Sequence, residues 1–160
     1  MIISSAQKTA AGNKRKKSFR GTEGKRAIMT EHELNDLTSG IIGVAIEVHN
    51  ELGPGLFEKI YRHCLKMALE DAGYHVEAEV SIPIIFRGKL IDNEGYRIDL
   101  LVNDTVILEI KSVSALSPLF EKQLVSYLRL TYKPCGLLMN FNSTYLKHGI
   151  KRIKNGYLPL

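Results

Sequence analysis

Residues 97–111 have the sequence RIDLLVNDTVILEIK, which contains the strongest strand pattern of the chain. Two apolar runs flank Asn103-Asp104, a pair of residues that is common in tight turns. Runs of this length that are rich in β-branched residues are typical of strands. The stretch therefore predicts two strands, over residues 96–102 and 105–111, joined around Asn103-Asp104.

The second of these strands carries two charges on one face. Glu109 and Lys111 are two residues apart and so point the same way, while the other face is apolar. Charged residues at the centre of a small sheet are costly unless they are paired or bind a metal. Asp99, placed beside Glu109, would complete a two-carboxylate oxygen site suited to Mg²⁺ or Mn²⁺. The alternative is a solvated edge strand along which these three charges alternate.

The register of the two strands tests this hypothesis. A two-residue turn at Asn103-Asp104 would pair residue 99 with residue 108 and leave Asp99 on the wrong face. Pairing residue 99 with residue 107 would bring Asp99 and Glu109 to the same face. That pairing requires an odd-length loop or a bulge, with a positive φ at Asn103 or Asp104. We predict such an irregularity.

Two helices precede this segment. The first has a capping-box pattern at Thr30 and Glu33 and continues to about Asn50. Gly53-Pro54-Gly55 ends it. A second helix follows and stops at Gly73, a residue type that tolerates the left-handed conformation found after helices.

The remaining elements complete an α/β pattern. Apolar residues alternate from Tyr74 to Phe86, which predicts a strand with one buried face. Pro83 places that strand at a sheet edge or bends it. After the central segment come a helix from Ser117-Pro118, a core strand over 136–140 and an ambiguous stretch over 150–158. The order of elements predicts a small α/β sandwich in which helices cover a mixed sheet.

Charge divides the chain into two parts. The 160 residues are 44% apolar and 24% charged, which excludes a fibrous or fully disordered chain. Residues 1–28 carry eight Lys/Arg and one acid, whereas residues 29–160 carry fourteen Lys/Arg and sixteen acids. We expect residues 1–28 to be a disordered basic extension and residues 29–160 to be one domain. The extension fits either a phosphate-binding arm or a simple solvated tail.

Neither a membrane segment nor a disulfide framework is predicted. A bilayer-spanning helix needs roughly 20 apolar residues in succession, and no such run is present. The first ten residues lack the apolar core of a signal peptide. Cys64 and Cys135 are too far apart in sequence to form a CxxC half-site. These features predict a reduced, cytoplasmic protein with no membrane association.

Asp99 and Glu109-Ile-Lys111, after two helices and before a helix with Gln123 and Tyr127, resemble the PD-(D/E)xK nuclease superfamily. Within it, the chain is similar to the bacterial family named for its GxxExxY motif. That motif stands here as GLFEKIY, residues 55–61. The resemblance extends from about residue 30 to residue 156 and leaves out the basic extension.

The resemblance implies a restriction-endonuclease-like core, a central mixed four-stranded sheet flanked by helices. It implies a bound Mg²⁺ or Mn²⁺ whose ligands are Asp99, Glu109, the Ile110 carbonyl and, by aiding metal binding, Glu58. Lys111 would position or activate the attacking water. Gln123 would support the site from the following helix.

Several of these residues also have plain structural explanations. Glu58 and Tyr61 are three apart and share a helix face, but an aromatic residue at such a position is more often part of the core. Gln123 equally fits a solvated helix position. His49 has no metal-ligand partner at a recognised spacing, and Cys64 fits a small buried apolar residue.

The expected function is a divalent-metal-dependent nuclease that hydrolyses phosphodiester bonds of DNA or RNA. The resemblance favours an enzyme. The alternative is a non-catalytic nucleic-acid- or protein-binding module with the same fold. A third hypothesis is a subunit whose protein partner supplies substrate recognition. The acidic balance of residues 29–160 argues against tight non-specific DNA binding by the domain alone. A local patch of Arg87, Lys89 and Arg97, the basic extension or a partner would have to supply affinity.

Overall fold

The computed structural model describes residues 29–156. The predicted basic extension over residues 1–28 therefore lies outside the described residues, as do residues 157–160. The elements in chain order are α1 (Glu31–Leu52), α2 (Glu58–Asp71), β1 (Val76–Phe86), β2 (Lys89–Val102), β3 (Val106–Lys111), α3 (Pro118–Thr131), β4 (Cys135–Asn140), a short 3₁₀ helix (Leu146–Gly149) and β5 (Ile150–Lys154). None of the helices within residues 29–156 is both long and apolar enough to cross a membrane.

The five strands form one mixed sheet in the order β1-β2-β3-β4-β5. All neighbouring pairs are antiparallel except β3 and β4, which are parallel and are connected by α3. The α/β, restriction-endonuclease-like architecture is confirmed, but the expected count of four strands is wrong. The ambiguous segment contributes β5, which pairs with β4 from Ile150↔Met139 to Lys154↔Cys135. Its sequence, IKRIK, is short and basic, as is common for edge strands, and has no clear alternation.

Local signals start two of the helices as predicted. Thr30 Oγ1 accepts a hydrogen bond from the Glu33 N–H at 3.2 Å, and Glu33 Oε2 accepts one from the Thr30 N–H at 2.7 Å. This is the reciprocal capping box at the start of α1. At α3, Ser117 Oγ accepts from the Leu119 N–H, and Pro118 occupies the first helical position.

The loop between β2 and β3 sets their register. Val102 pairs with Val106, so the loop has three residues, and both Asn103 (φ 50°) and Asp104 (φ 52°) are left-handed. The predicted odd loop length and positive φ are confirmed. The predicted pairing of residue 99 with residue 107 is wrong, because Ile107 pairs with Leu101 in the observed register. The observed register keeps Val102 within the ladder, where it is fully buried.

The sheet has a hydrophobic core on each face. Val106, Leu108 and Ile110 of β3 pack on one face in the cluster that includes α1 and α2 residues. Ile107 packs on the other face with Leu124 of α3. Strand β3 is therefore central and covered on both sides, and the solvated-edge alternative for its charged residues is excluded.

Strand β1 lies at the sheet edge and is irregular, as Pro83 predicts. Its register against β2 shifts between Ile82 and Ile84. Glu79, in the middle of the same strand, has a left-handed φ of 52°. Such a conformation is unfavourable for a residue other than glycine, and Glu79 lies near the carboxylate of Asp99 described below.

Candidate active site

Asp99 and Glu109 meet where the backbone pairing of β2 with β3 ends. The last backbone pair is Leu100 with Leu108. Beyond it, Asp99 Oδ2 accepts a hydrogen bond from the Ile110 N–H at 2.9 Å, and Glu109 Oε1 accepts one from the Asp99 N–H at 3.3 Å. Side-chain carboxylates thus take the place of backbone carbonyls as acceptors. This arrangement brings two acidic side chains together inside the sheet.

Burial makes this carboxylate pair electrostatically unusual. Glu109 is only 6% exposed. Its burial and the nearby charge of Asp99 raise the pKa of Glu109 to about 8. Burial also raises the pKa of Asp99, although the hydrogen bond from Ile110 and the charge of Arg62 oppose the shift. Ionising both groups is costly without a neighbouring cation, because like charges are poorly screened in a low-dielectric environment.

Lys111 continues the same row of side chains on β3. Its Nζ lies 4.5 Å from the centroid of the Phe120 ring on α3, a cation–π contact that holds the ammonium group above the strand. The charge of Lys111 lowers the pKa of both Asp99 and Glu109, in opposition to burial. The structure therefore brings together the three residues that the sequence singles out.

The donor set fits a hard divalent cation. Two carboxylates and the Ile110 carbonyl are oxygen ligands of the kind that Mg²⁺ and Mn²⁺ prefer. Within residues 29–156, no group of three or more His, Cys, Asp or Glu side chains is arranged to hold a metal. A metal at this point would accordingly rest on Asp99, Glu109 and backbone or solvent oxygen atoms.

Glu58 is the first residue of α2 and reaches the site indirectly. Its Oε1 accepts a hydrogen bond from the Ser112 N–H at 3.3 Å, immediately after Lys111. Its charge raises the pKa of both Asp99 and Glu109, so it lies close enough to act on them. The contact it makes is with the chain after Lys111 and not with the carboxylate pair.

Helix α3 covers the charged row with one face. Phe120, Gln123 and Tyr127 are spaced by three and four residues and so lie on the same side of the helix. Tyr127 is 5% exposed, and burial together with the charges of Glu109 and Asp99 raises its pKa to about 12. Gln123 is half-buried between these two aromatic residues. Its support of the site stays a prediction.

Tyr61 is a core residue that also braces a loop. It is fully buried, and its ring stacks on Phe141 with centroids 4.6 Å apart. Its hydroxyl donates to the Gly53 carbonyl at 2.5 Å and accepts from the Leu56 N–H at 3.1 Å. The spacing of glycine, glutamate and tyrosine in residues 55–61 thus has a physical basis: Gly55 takes a φ of 98° in the loop, and Tyr61 fixes that loop in front of Glu58.

Two residues near the site are not indicated by the sequence patterns. Arg62 Nη1 lies 3.7 Å from Asp99 Oδ1, and its Nη2 lies 3.4 Å from Glu79 Oε1. Asn140, at the end of β4, accepts from the Val113 N–H and donates to the Val113 carbonyl. The signal for Arg62 was its position four residues after Glu58, on the same helix face. The sequence feature that could have indicated Asn140 is its position as a polar residue at the end of the otherwise apolar strand β4.

The suggested basic patch is not assembled as one surface. Arg87 and Lys89 lie at the tip of the β1–β2 hairpin, and Lys89 is ten residues along β2 from Asp99, about 30 Å at the usual strand rise. Arg97 lies two residues from Asp99 and contacts Glu79 at 3.6 Å. Only Arg97 is therefore close to the carboxylates.

The remaining polar candidates have structural roles. His49 is buried, and its Nε2 lies 2.9 Å from the Ser143 carbonyl, which agrees with a packing role. Cys64 is half-buried and Cys135 is buried, and both are free thiols.

Comparison with known proteins identifies the class to which this arrangement belongs. A family model described as the PD-(D/E)XK nuclease superfamily matches residues 35–153. The chain belongs to this superfamily, whose nucleases generally use divalent metals and act on nucleic acid. No curated protein and no solved structure gives a significant match to the chain.

Proposed function

We propose that the protein is a divalent-metal-dependent nuclease that hydrolyses phosphodiester bonds. The observation that carries the proposal is the buried pair of Asp99 and Glu109 in one row with Lys111. Burial of two acids side by side is unfavourable for folding. A bound cation would offset this cost, so the pair is better explained as a binding site than as a structural feature. The half-buried Lys111 at the end of the row supplies the positive charge that such chemistry also needs.

Asp99, Glu109 and the Ile110 carbonyl would hold Mg²⁺ or Mn²⁺, and Glu58 would add negative charge from α2. A bound divalent ion supplies positive charge to a phosphate and lowers the pKa of water. Lys111 would orient the attacking water and offset negative charge on the phosphate. Gln123 and Tyr127 would shield the row from bulk solvent and keep the carboxylates desolvated.

The same proposal extends to the family and to the organisation of the chain. The positive φ of Gly55 and the hydrogen bonds of Glu58 and Tyr61 support membership of the GxxExxY family, since each gives a residue of that motif a role in the loop or the site. We place the nuclease domain at residues 29–160, with residues 1–28 as a basic extension. The extension or a protein partner would add positive charge to a domain that carries fourteen Lys/Arg against sixteen acids. Two free thiols agree with a cytoplasmic protein.

A matched set of variants tests this function. The wild type should cleave members of a panel of single- and double-stranded DNA and RNA only when Mg²⁺ or Mn²⁺ is added. Lys111→Ala should reduce cleavage by about 10²- to 10⁴-fold, the usual effect of removing a group that assists proton transfer. Asp99→Ala should abolish metal binding measured by titration calorimetry. Lys66→Ala is the control, because Lys66 is a surface residue paired with Glu70 on α2.

Other results would favour the rival hypotheses. Metal binding without cleavage by the purified protein, with cleavage restored by a co-purifying protein, would indicate a subunit that needs a partner. Absence of both cleavage and metal binding would overturn the proposal and favour a non-catalytic binding module.

A further inference from the structure

Phe57 is exposed without a structural reason. Its side chain is 85% exposed, the highest value among the large apolar residues of the described chain. It occupies the position just before α2, where Ser, Thr, Asp or Asn would cap the helix, and a phenyl ring cannot accept the capping hydrogen bond. Neither burial nor capping therefore accounts for an aromatic residue here.

Hydrogen bonds on both sides fix the backbone of Phe57 beside the candidate active site. Ser112 Oγ donates to the Leu56 carbonyl at 2.6 Å, and the Ser112 N–H donates to Glu58. The Tyr61 hydroxyl holds the preceding loop. Residues 56 and 58 are thus bonded to the residue that directly follows Lys111. Phe57 therefore lies in a segment whose two flanking residues are hydrogen-bonded to Ser112, next in sequence to Lys111.

A second exposed apolar side chain lies in the first turn of α3. Leu119 is 63% exposed and directly precedes Phe120, whose ring contacts Lys111. Phe57, just before α2, and Leu119, in the first turn of α3, are thus each next in sequence to a residue that contacts Lys111 or Ser112. Apolar groups at the edge of a phosphate-cleaving site suit the faces of nucleobases, which are the apolar surfaces next to a phosphate backbone.

We propose that Phe57 is a stacking platform for a nucleobase next to the scissile phosphate, and that the substrate is unpaired at that base. This inference rests on the proposed nuclease function and specifies its substrate class. A base within a duplex is stacked on both sides by its neighbours, so its face is not available to Phe57. A base in a single strand, a flap or a frayed end offers a free face. Stacking is tolerant of sequence, so little base preference is expected.

Binding to oligonucleotides with a missing base tests the inference. In a Lys111→Ala background, which limits cleavage, fluorescence anisotropy would measure Kd for a duplex, a single strand, and single strands with one abasic position moved along the sequence. Phe57→Ala should weaken binding of the intact single strand by about 5- to 150-fold. At one abasic position the same substitution should have little further effect, because the stacking partner is already absent.

Three further variants make the test specific. Phe57→Trp should retain binding, whereas Phe57→Leu should lose much of it, since leucine is apolar but has no ring to stack. Tyr132→Ala should leave binding unchanged. Tyr132 is 78% exposed but lies at the other end of α3, about 20 Å from its start.

The outcomes separate the two proposals. Metal-dependent cleavage that prefers duplex substrates, or equal loss of binding in Phe57→Ala for intact and abasic strands, would overturn the stacking inference and leave the nuclease function standing. A wild-type protein that neither cleaves nor binds any nucleic acid would overturn both.

Discussion

Side chains of opposite character alternate along strand β3, so that one face is apolar and the other carries two charged residues. Val106, Leu108 and Ile110 are fully buried in the core below α1 and α2. Glu109 and Lys111, between and after them, point towards α3. The apolar face lowers the free energy of the folded chain, whereas the charged face raises it because a buried carboxylate loses its hydration. Within one strand, the stabilisation from burying the apolar residues therefore offsets the free-energy cost of burying the neighbouring carboxylate.

The largest effect on stability should come from the apolar face. Leu108→Ala leaves a cavity in the core and should lower the free energy of unfolding by about 2–5 kcal/mol. Glu109→Gln should change it by about 1 kcal/mol or less at pH 7, because glutamine has the shape of the protonated acid that the raised pKa favours. Urea unfolding of both variants without metal measures the difference. Equal losses would show that Glu109 supports the fold as a charged group.

The two faces should also differ in their response to pH. The pKa of Glu109 rises from 4.5 in the unfolded chain to about 8 in the fold, so folding binds a proton between these values. The stabilisation from the protonated group is complete below pH 4.5 and is lost as pH rises through about 8, with a slope of up to about 1.4 kcal/mol per pH unit. Asp99 shifts in the same direction. Urea midpoints from pH 5 to 8 in a chelator should fall in the wild type.

In Glu109→Gln this decline should be much weaker, whereas Leu108→Ala should keep it, since the cavity leaves both carboxylates in place. A wild-type stability that stays flat or rises over this range would contradict the raised pKa of the pair.

Metal binding should show the reverse dependence on pH. A cation needs the ionised carboxylate, so binding at Glu109 releases a proton. Affinity for Mn²⁺ should increase by roughly tenfold per pH unit up to about pH 8 and then level off, following the pKa of Glu109. Titration calorimetry in two buffers of different ionisation enthalpy measures both the affinity and the released proton. A pH-independent affinity would place the metal elsewhere.

A further effect concerns the link between the core and the site. Tyr61→Phe keeps the buried ring but removes the hydroxyl that holds Gly53 and Leu56. The free energy of unfolding should fall by about 1–2 kcal/mol. Cleavage should fall as well, because the loop positions Glu58 and Phe57. Tyr74→Phe, a tyrosine outside this loop, is the control for the cleavage effect. Unchanged cleavage in Tyr61→Phe would show that the loop is held by its other contacts.

Local patterns predicted the elements well and missed details that depend on pairing. The capping box of α1 and the Ser117-Pro118 start of α3 involve residues within one turn, and both were confirmed. The irregularity of β1 followed from Pro83. The predicted partner of Asp99, Ile107, pairs with Leu101 instead, in a register that keeps the buried Val102 within the ladder. The sequence does not predict strand β5, because this segment is short and basic without clear alternation, and it forms a strand by pairing with β4.

Glu109 and Lys111 share a face of one strand, and an odd loop adds Asp99 to that face. Both facts follow from the order of residues, since alternation and parity are properties of the backbone. Three other features follow from the folded chain alone: α3 covers this face, Arg62 approaches Asp99 at 3.7 Å, and Asn140 hydrogen-bonds to the chain after Lys111. These facts depend on segments far apart in sequence, whose approach is set by packing on the sheet. Burial, and with it the pKa of Glu109, exists only after that packing.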